Sequence, residues 1–137
     1  MAMKANAFFL VFFSLSLLPA LSYAEKYAAP DELLDEFESI GFNEFEMDEV
    51  AVDDEVLVIK LDSEKLSLKR FYQIVKTVCT VTKENPDIWD DTPFSNIEVM
   101  NGIQTVRVIF NGSNKECLDM PSGDSYQFIE SRKQIKY

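Results

Sequence analysis

A chain of 137 residues with 24 Asp and Glu, 13 Lys and Arg and no histidine carries a formal charge of −11. Such acidity sets it against nucleic acid and anionic membranes, whose phosphates repel it, and favours cationic partners. Without imidazole it also lacks the commonest general base and the commonest zinc or copper ligand.

Residues 1–24 show the three-part pattern of a secretory signal peptide. Lys4 lies in a short start, an apolar run extends from Ala7 to Leu18, and Ser22-Tyr23-Ala24 after Pro19 offers a cleavage site. The run is shorter than the ~20 apolar residues a spanning helix needs, so no membrane span is expected. The reading is a cleaved segment over 1–24 and a single exported α+β domain over 25–137, periplasmic or extracellular. Loss of Lys4 makes that domain one unit more negative than the whole chain. In such a compartment the only cysteines, Cys79 and Cys117, pair as a disulfide. The chain-entropy account values the link at about 4 kcal/mol. A catalytic thiol would need an activating base, and no histidine is present to supply it.

Pro30-Asp31 opens the first predicted helix, with Leu33, Leu34, Phe37 and Ile40 as its apolar stripe and Gly41 as its stop. Its acids suit the positive helix end, but Asp31/Asp35 and Glu32/Glu36 are like-charged i,i+4 pairs, so tertiary packing must hold it. From Phe45 the period becomes two. Strands are predicted over 47–52 and 55–61, turning at Asp53-Asp54. Asp62 or Ser63 then caps the longest helical segment, 63–84, which Asn85-Pro86 ends. Leu68, Phe71, Tyr72, Ile74, Val75, Val78, Cys79 and Thr82 share its core side, and Lys69, Arg70, Gln73, Lys76, Thr77, Thr80 and Lys83 its solvated back.

Residues 87–94 form a loop around the single tryptophan, Trp89. Next comes a predicted hairpin of strands 95–100 and 103–110 about Asn101-Gly102, a dipeptide suited to a type I′ turn. Ile97, Val99, Val106, Val108 and Phe110 would face the core. Ser113 and Glu116 fit a capping box ahead of Cys117, and 124–137 reads as a terminal helix through Phe128, Ile129 and Ile135. The order helix, hairpin, helix, hairpin, helix implies a small α+β domain with an antiparallel sheet packed on the central helix. At the level of element order alone this resembles cystatin-like and PepSY or β-lactamase-inhibitor-like exported domains. No motif carries the resemblance to individual residues, so no site is taken from it.

From Asp31 to Glu55 the chain holds acids and no Lys or Arg. Two readings fit. The acids form a solvated face, some of them opposite Lys69, Lys76 and Lys83 of the central helix, where exposed pairs are worth about 0–1 kcal/mol. Or they dock a basic partner, with Glu44, Glu46, Asp48 and Glu49 supplying charge and Phe42, Phe45 and Met47 the desolvated anchors. Trp89 among Asp87, Asp90 and Asp91 reads either as an interface residue or as ordinary core. Those three acids lack the EF-hand spacing, and neither a metal nor a cofactor is expected. Asn111-Gly112-Ser113 matches a glycosylation acceptor in a eukaryotic secretory route and is a plain turn elsewhere.

No Gly-x-Ser-x-Gly, Ser-x-x-Lys or phosphate-cradling glycine loop occurs, and a carboxylate pair cannot be singled out from so many acids. The expectation is therefore a non-catalytic binding protein, an inhibitor or immunity protein against a basic secreted or periplasmic enzyme or toxin. The alternative is an accessory subunit of an envelope or secretion assembly.

Overall fold

The computed structural model describes residues 26–42 and 46–137. The predicted signal peptide, Glu44 and Phe45 lie outside these. Nine elements follow one another: β1 (Lys26–Ala28), α1 (Asp31–Ser39), β2 (Met47–Asp53), β3 (Val56–Leu61), α2 (Leu68–Glu84), β4 (Asn96–Met100), β5 (Arg107–Phe110), α3 (Ser125–Glu130) and β6 (Lys133–Lys136). The strands form one sheet in sequence order, antiparallel throughout except where β3 and β4 run parallel. A parallel pair needs a crossover, and α2 is that crossover. The coarse expectation of a small α+β domain with a mostly antiparallel sheet describes this molecule. The expected element order needs revision at both ends, where β1 precedes the first helix and β6 follows the last.

One face of the sheet builds the core. Val52, Leu57, Ile59, Leu61, Ile97, Val99, Val108 and Phe110 form a single buried cluster with Leu33 and Phe37 of α1, Phe71, Ile74, Val75 and Val78 of α2, and Phe128 and Ile129 of α3. Alternation puts Ala51, Val58, Glu98 and Ile109, aligned across four strands, on the opposite face. Ala51 and Ile109 are buried yet stand outside that cluster.

The helix ends have local causes. Helix α1 stops in a Schellman arrangement: Phe42 N–H donates to Phe37 carbonyl, Gly41 N–H to Glu38 carbonyl, and Gly41 takes φ +99°. The Phe37 and Phe42 rings meet edge to face at 6.2 Å, the apolar contact that accompanies such an end. Leu34 and Ile40 flank this seam rather than join it, at 37% and 46% exposure. The cap of α2 is Ser67, whose hydroxyl accepts from Arg70 N–H, and not Asp62 or Ser63. Ser113 and Glu116 do exchange the two hydrogen bonds of a capping box, ahead of a short 3-10 turn over Glu116–Asp119.

Both hairpin turns differ from expectation. Asp53 pairs with Val56, so the turn residues are Asp54 and Glu55, at φ 51° and 65°. The positive φ pair of a tight hairpin thus falls on two non-glycine residues. Met100 pairs with Arg107 rather than Ile103, leaving a longer loop at Asn101-Gly102. There Asn101, 1% exposed, accepts from the N–H groups of Thr105 and Val106 and donates to Glu64 carbonyl and Thr105 hydroxyl. Gly102 donates to Ser63 carbonyl, and a Cβ on it would lie 2.9 Å from Leu61 carbonyl oxygen. This glycine serves close approach, not a left-handed turn. The register slips by an even number of residues, so Ile97, Val99, Val108 and Phe110 keep their core face.

Residues 124–137 do not form one helix. Helix α3 ends at Glu130, and β6 pairs along β5 from Arg107↔Lys136 to Phe110↔Lys133.

Candidate functional site

Three residues expected as contact or anchor positions are core residues. Phe42 and Met47 are buried in the main cluster, Phe42 with Arg70 lying 5.0 Å over its ring. Trp89 is 0% exposed at the end of a 3-10 turn, Pro86–Trp89. Its indole N–H donates to Thr82 hydroxyl at 2.8 Å, and that hydroxyl donates on to Val78 carbonyl at 2.7 Å. The ring meets Phe94 edge to face at 4.8 Å. Satisfying the indole N–H inside the core is what allows a residue with a polar edge to be buried completely.

The charged members of the expected surface are mostly engaged within the chain. Arg70 pairs with Glu46 at 3.8 Å, Lys60 with Asp48 at 3.1 Å, and Lys26 with Glu49. The last pair also raises the Lys26 pKa above its ordinary 10.5, through its hydrogen bond to Glu49 first and the carboxylate's charge second. The lysines expected to face acids do not. Among the described residues Lys69, Lys76 and Lys83 form no ion pair, and Lys83 instead donates to Met120 carbonyl. The heptad spacing places them on one flank of α2, while Glu46, just ahead of β2, lies beside Arg70.

Unpaired negative charge remains on α1. Asp31, Glu32, Asp35, Glu36 and Glu38 have no ion-pair partner among the described residues, and all but the half-buried Glu36 are exposed. Leu33 and Phe37 fix the inner face of this helix, so the 3.6-residue period turns the acids outward. Exposed Leu34 and Ile40 border them on either side. The 3.6-residue period puts both in the apolar stripe with Leu33 and Phe37, and the fold leaves both exposed. The buried residues of this helix are Leu33 and Phe37, and Ile40 is its C-cap.

Cys79 and Cys117 lie at disulfide distance, with Cα atoms 4.8 Å apart and a sequence separation of 38. Both are buried, and the link fastens the 3-10 turn at Glu116–Asp119 to the middle of α2. Asp87, Asp90 and Asp91 do not converge: among the described residues no group of three or more acids or cysteines is placed to hold a metal ion. No described helix is long and apolar enough to cross a membrane. The chain matches no family model, no curated protein and no solved structure.

Proposed function

We propose that this protein is an exported, non-catalytic binding protein that docks a basic protein partner, in the manner of an inhibitor or immunity protein against a cationic secreted or periplasmic enzyme or toxin. The observation carrying this reading is the outer face of α1, where five carboxylates stand without cationic partners among the described residues. On the sheet, by contrast, Asp48, Glu49 and Glu98 are paired with nearby cations. Retaining like charge at i,i+4 spacing costs helix stability, a cost that a cationic surface would offset on binding. Leu34 and Ile40 supply exposed apolar area at the edge of the charge, the arrangement in which apolar contacts hold and rim charges steer. The proposal thus centres the contact on α1. Glu46, Asp48 and Glu49 are paired within the chain, Phe42, Met47 and Trp89 are buried, and Glu44 and Phe45 lie outside the described residues.

Affinity capture from envelope and secreted extracts, at low and at near-physiological salt, provides the test. A basic protein retained at low salt, weakened by salt, and lost to the Asp31→Lys/Asp35→Lys/Glu38→Lys variant would support the reading. Equal capture by that folded variant would remove α1 from it. A second reading, an accessory subunit of an envelope or secretion assembly, draws on the open edge of β6, where Gln134, Ile135 and Lys136 are exposed. Strand addition there relies on main-chain hydrogen bonds, so capture would respond little to salt.

A further inference from the structure

Between the first turns of α2 and the short helix α3 lies a pocket of about 390 Å³, lined by Leu68, Phe71, Tyr72, Tyr126 and Ile129 with Lys69, Glu130 and Lys133 at its margin. Phe71 and Ile129 are buried and form the floor. Leu68 and Tyr126 stand at the mouth, 47% and 52% exposed. The Tyr72 hydroxyl, 2.6 Å from Ser125 hydroxyl, ties α2 to α3, and the Tyr72 and Tyr126 rings lie 5.3 Å apart along one wall. A size of this order and a lining of apolar and aromatic side chains with few polar groups are the marks of a small-molecule site. The neighbouring hollow beside α1 differs: Glu46, Arg70, Gln73 and Lys76 line much of it.

The charge at the margin selects the ligand's polar end. Glu130 is occupied by Lys133 at 2.6 Å. Lys69 forms no ion pair among the described residues. The first turn of α2 carries no acid to neutralise the positive helix end, unlike α1, whose first turn holds Asp31 and Glu32. Within a chain of net charge −11, the margin of this apolar pocket sets Lys69 and Lys133 against Glu130 alone and is locally cationic.

We propose that the pocket binds a small amphipathic carboxylic acid, its apolar body between Leu68, Tyr72, Tyr126 and Ile129 and its carboxylate beside Lys69. This inference is independent of the protein–protein reading, which uses α1. The experiment titrates the ¹⁵N-labelled full chain, disulfide intact, with octanoate, 1-octanol and octylammonium, following backbone amides by NMR. Octanoate is expected to give saturable shifts confined to residues 68–72 and 126–133, with octylammonium about tenfold weaker or worse. Lys69→Glu should weaken octanoate about tenfold and leave 1-octanol unchanged, whereas Tyr126→Ala should weaken both. Both side chains are exposed, so neither change threatens the fold. Shifts that fail to saturate or lie elsewhere, octylammonium binding as tightly as octanoate, or octanoate indifferent to Lys69→Glu would each overturn the proposal.

Discussion

The two faces of the sheet use opposite physics. The face toward the helices is closed by shape: Leu57, Ile59, Ile97, Val99 and Phe110 meet three helices, the buried Trp89 and the Cys79–Cys117 link. Among the described residues, the helices pack on that face and not on the other. Charges on the other face are laced across strands, Lys26 to Glu49, Lys60 to Asp48, and Arg107 to Glu98 at 3.0 Å. Half-buried Val56, Val58 and Met100 lie between these pairs. Exposed ion pairs are individually weak, so they keep this face soluble and in register more than they stabilise it. The contrast bears on function: where charge has an internal partner it is spent on the fold, and on α1 it is not.

If the covered face is governed by packing, the largest losses should come from it and ignore salt. Trp89→Ala removes a filled volume and the indole N–H that the Thr82 hydroxyl accepts from, and should cost about 3–5 kcal/mol in denaturant titrations at low and high salt alike. Replacing Cys79 and Cys117 together by alanine should cost up to about 4 kcal/mol, the loop-closure value. Equal midpoints for native and double-alanine proteins would show that the link contributes nothing. Gly102→Ala should destabilise by about 1–3 kcal/mol, because the added methyl meets the backbone at Leu61 and Asp62.

The open face should respond weakly and electrostatically. A double-mutant cycle on Glu98 and Arg107 should give a coupling of about 0.2–1 kcal/mol that fades at 1 M salt. A coupling that is larger and salt-independent would break the contrast between the faces. The smallest effect belongs to Lys26. Its folded pKa is raised, so the contribution of its pair with Glu49 is complete below the ordinary 10.5 and is lost as pH rises through the folded value. NMR titration of Lys26 should show that elevation, and Glu49→Gln should abolish it.

Much of the framework was legible because it is encoded locally. The core stripe of α2, the Gly41 stop, the Ser113/Glu116 box and the alternation of β3 all depend on residues a few positions apart. The disulfide was legible for a different reason, since two cysteines have one pairing to make. The candidate surface was less so. Hydrophobic character and charge placed Phe42 and Met47 among contact residues, and only the fold puts them under Arg70 and against β3. For Trp89 the sequence favours core over interface only slightly, and Thr82, seven residues earlier on α2, supplies the hydrogen-bond partner that lets it be buried.

By itself, then, the sequence determined periodicities, the Gly41 and Asn85-Pro86 helix stops, strand faces and the acidity of the whole. Tertiary structure decided what no local window contains. Asn101 and Gly102 were drawn from an expected tight turn into a longer loop because the backbone of Ser63 and Glu64 lies against them. Residues 133–136 became an edge strand because β5 offered unpaired main-chain groups, outweighing a weak helical pattern. Which acids are neutralised also depended on distance in space, which put Glu46 by Arg70 and left the outer face of α1 bare. Charge acts through space, and its partners are fixed only when the chain has folded.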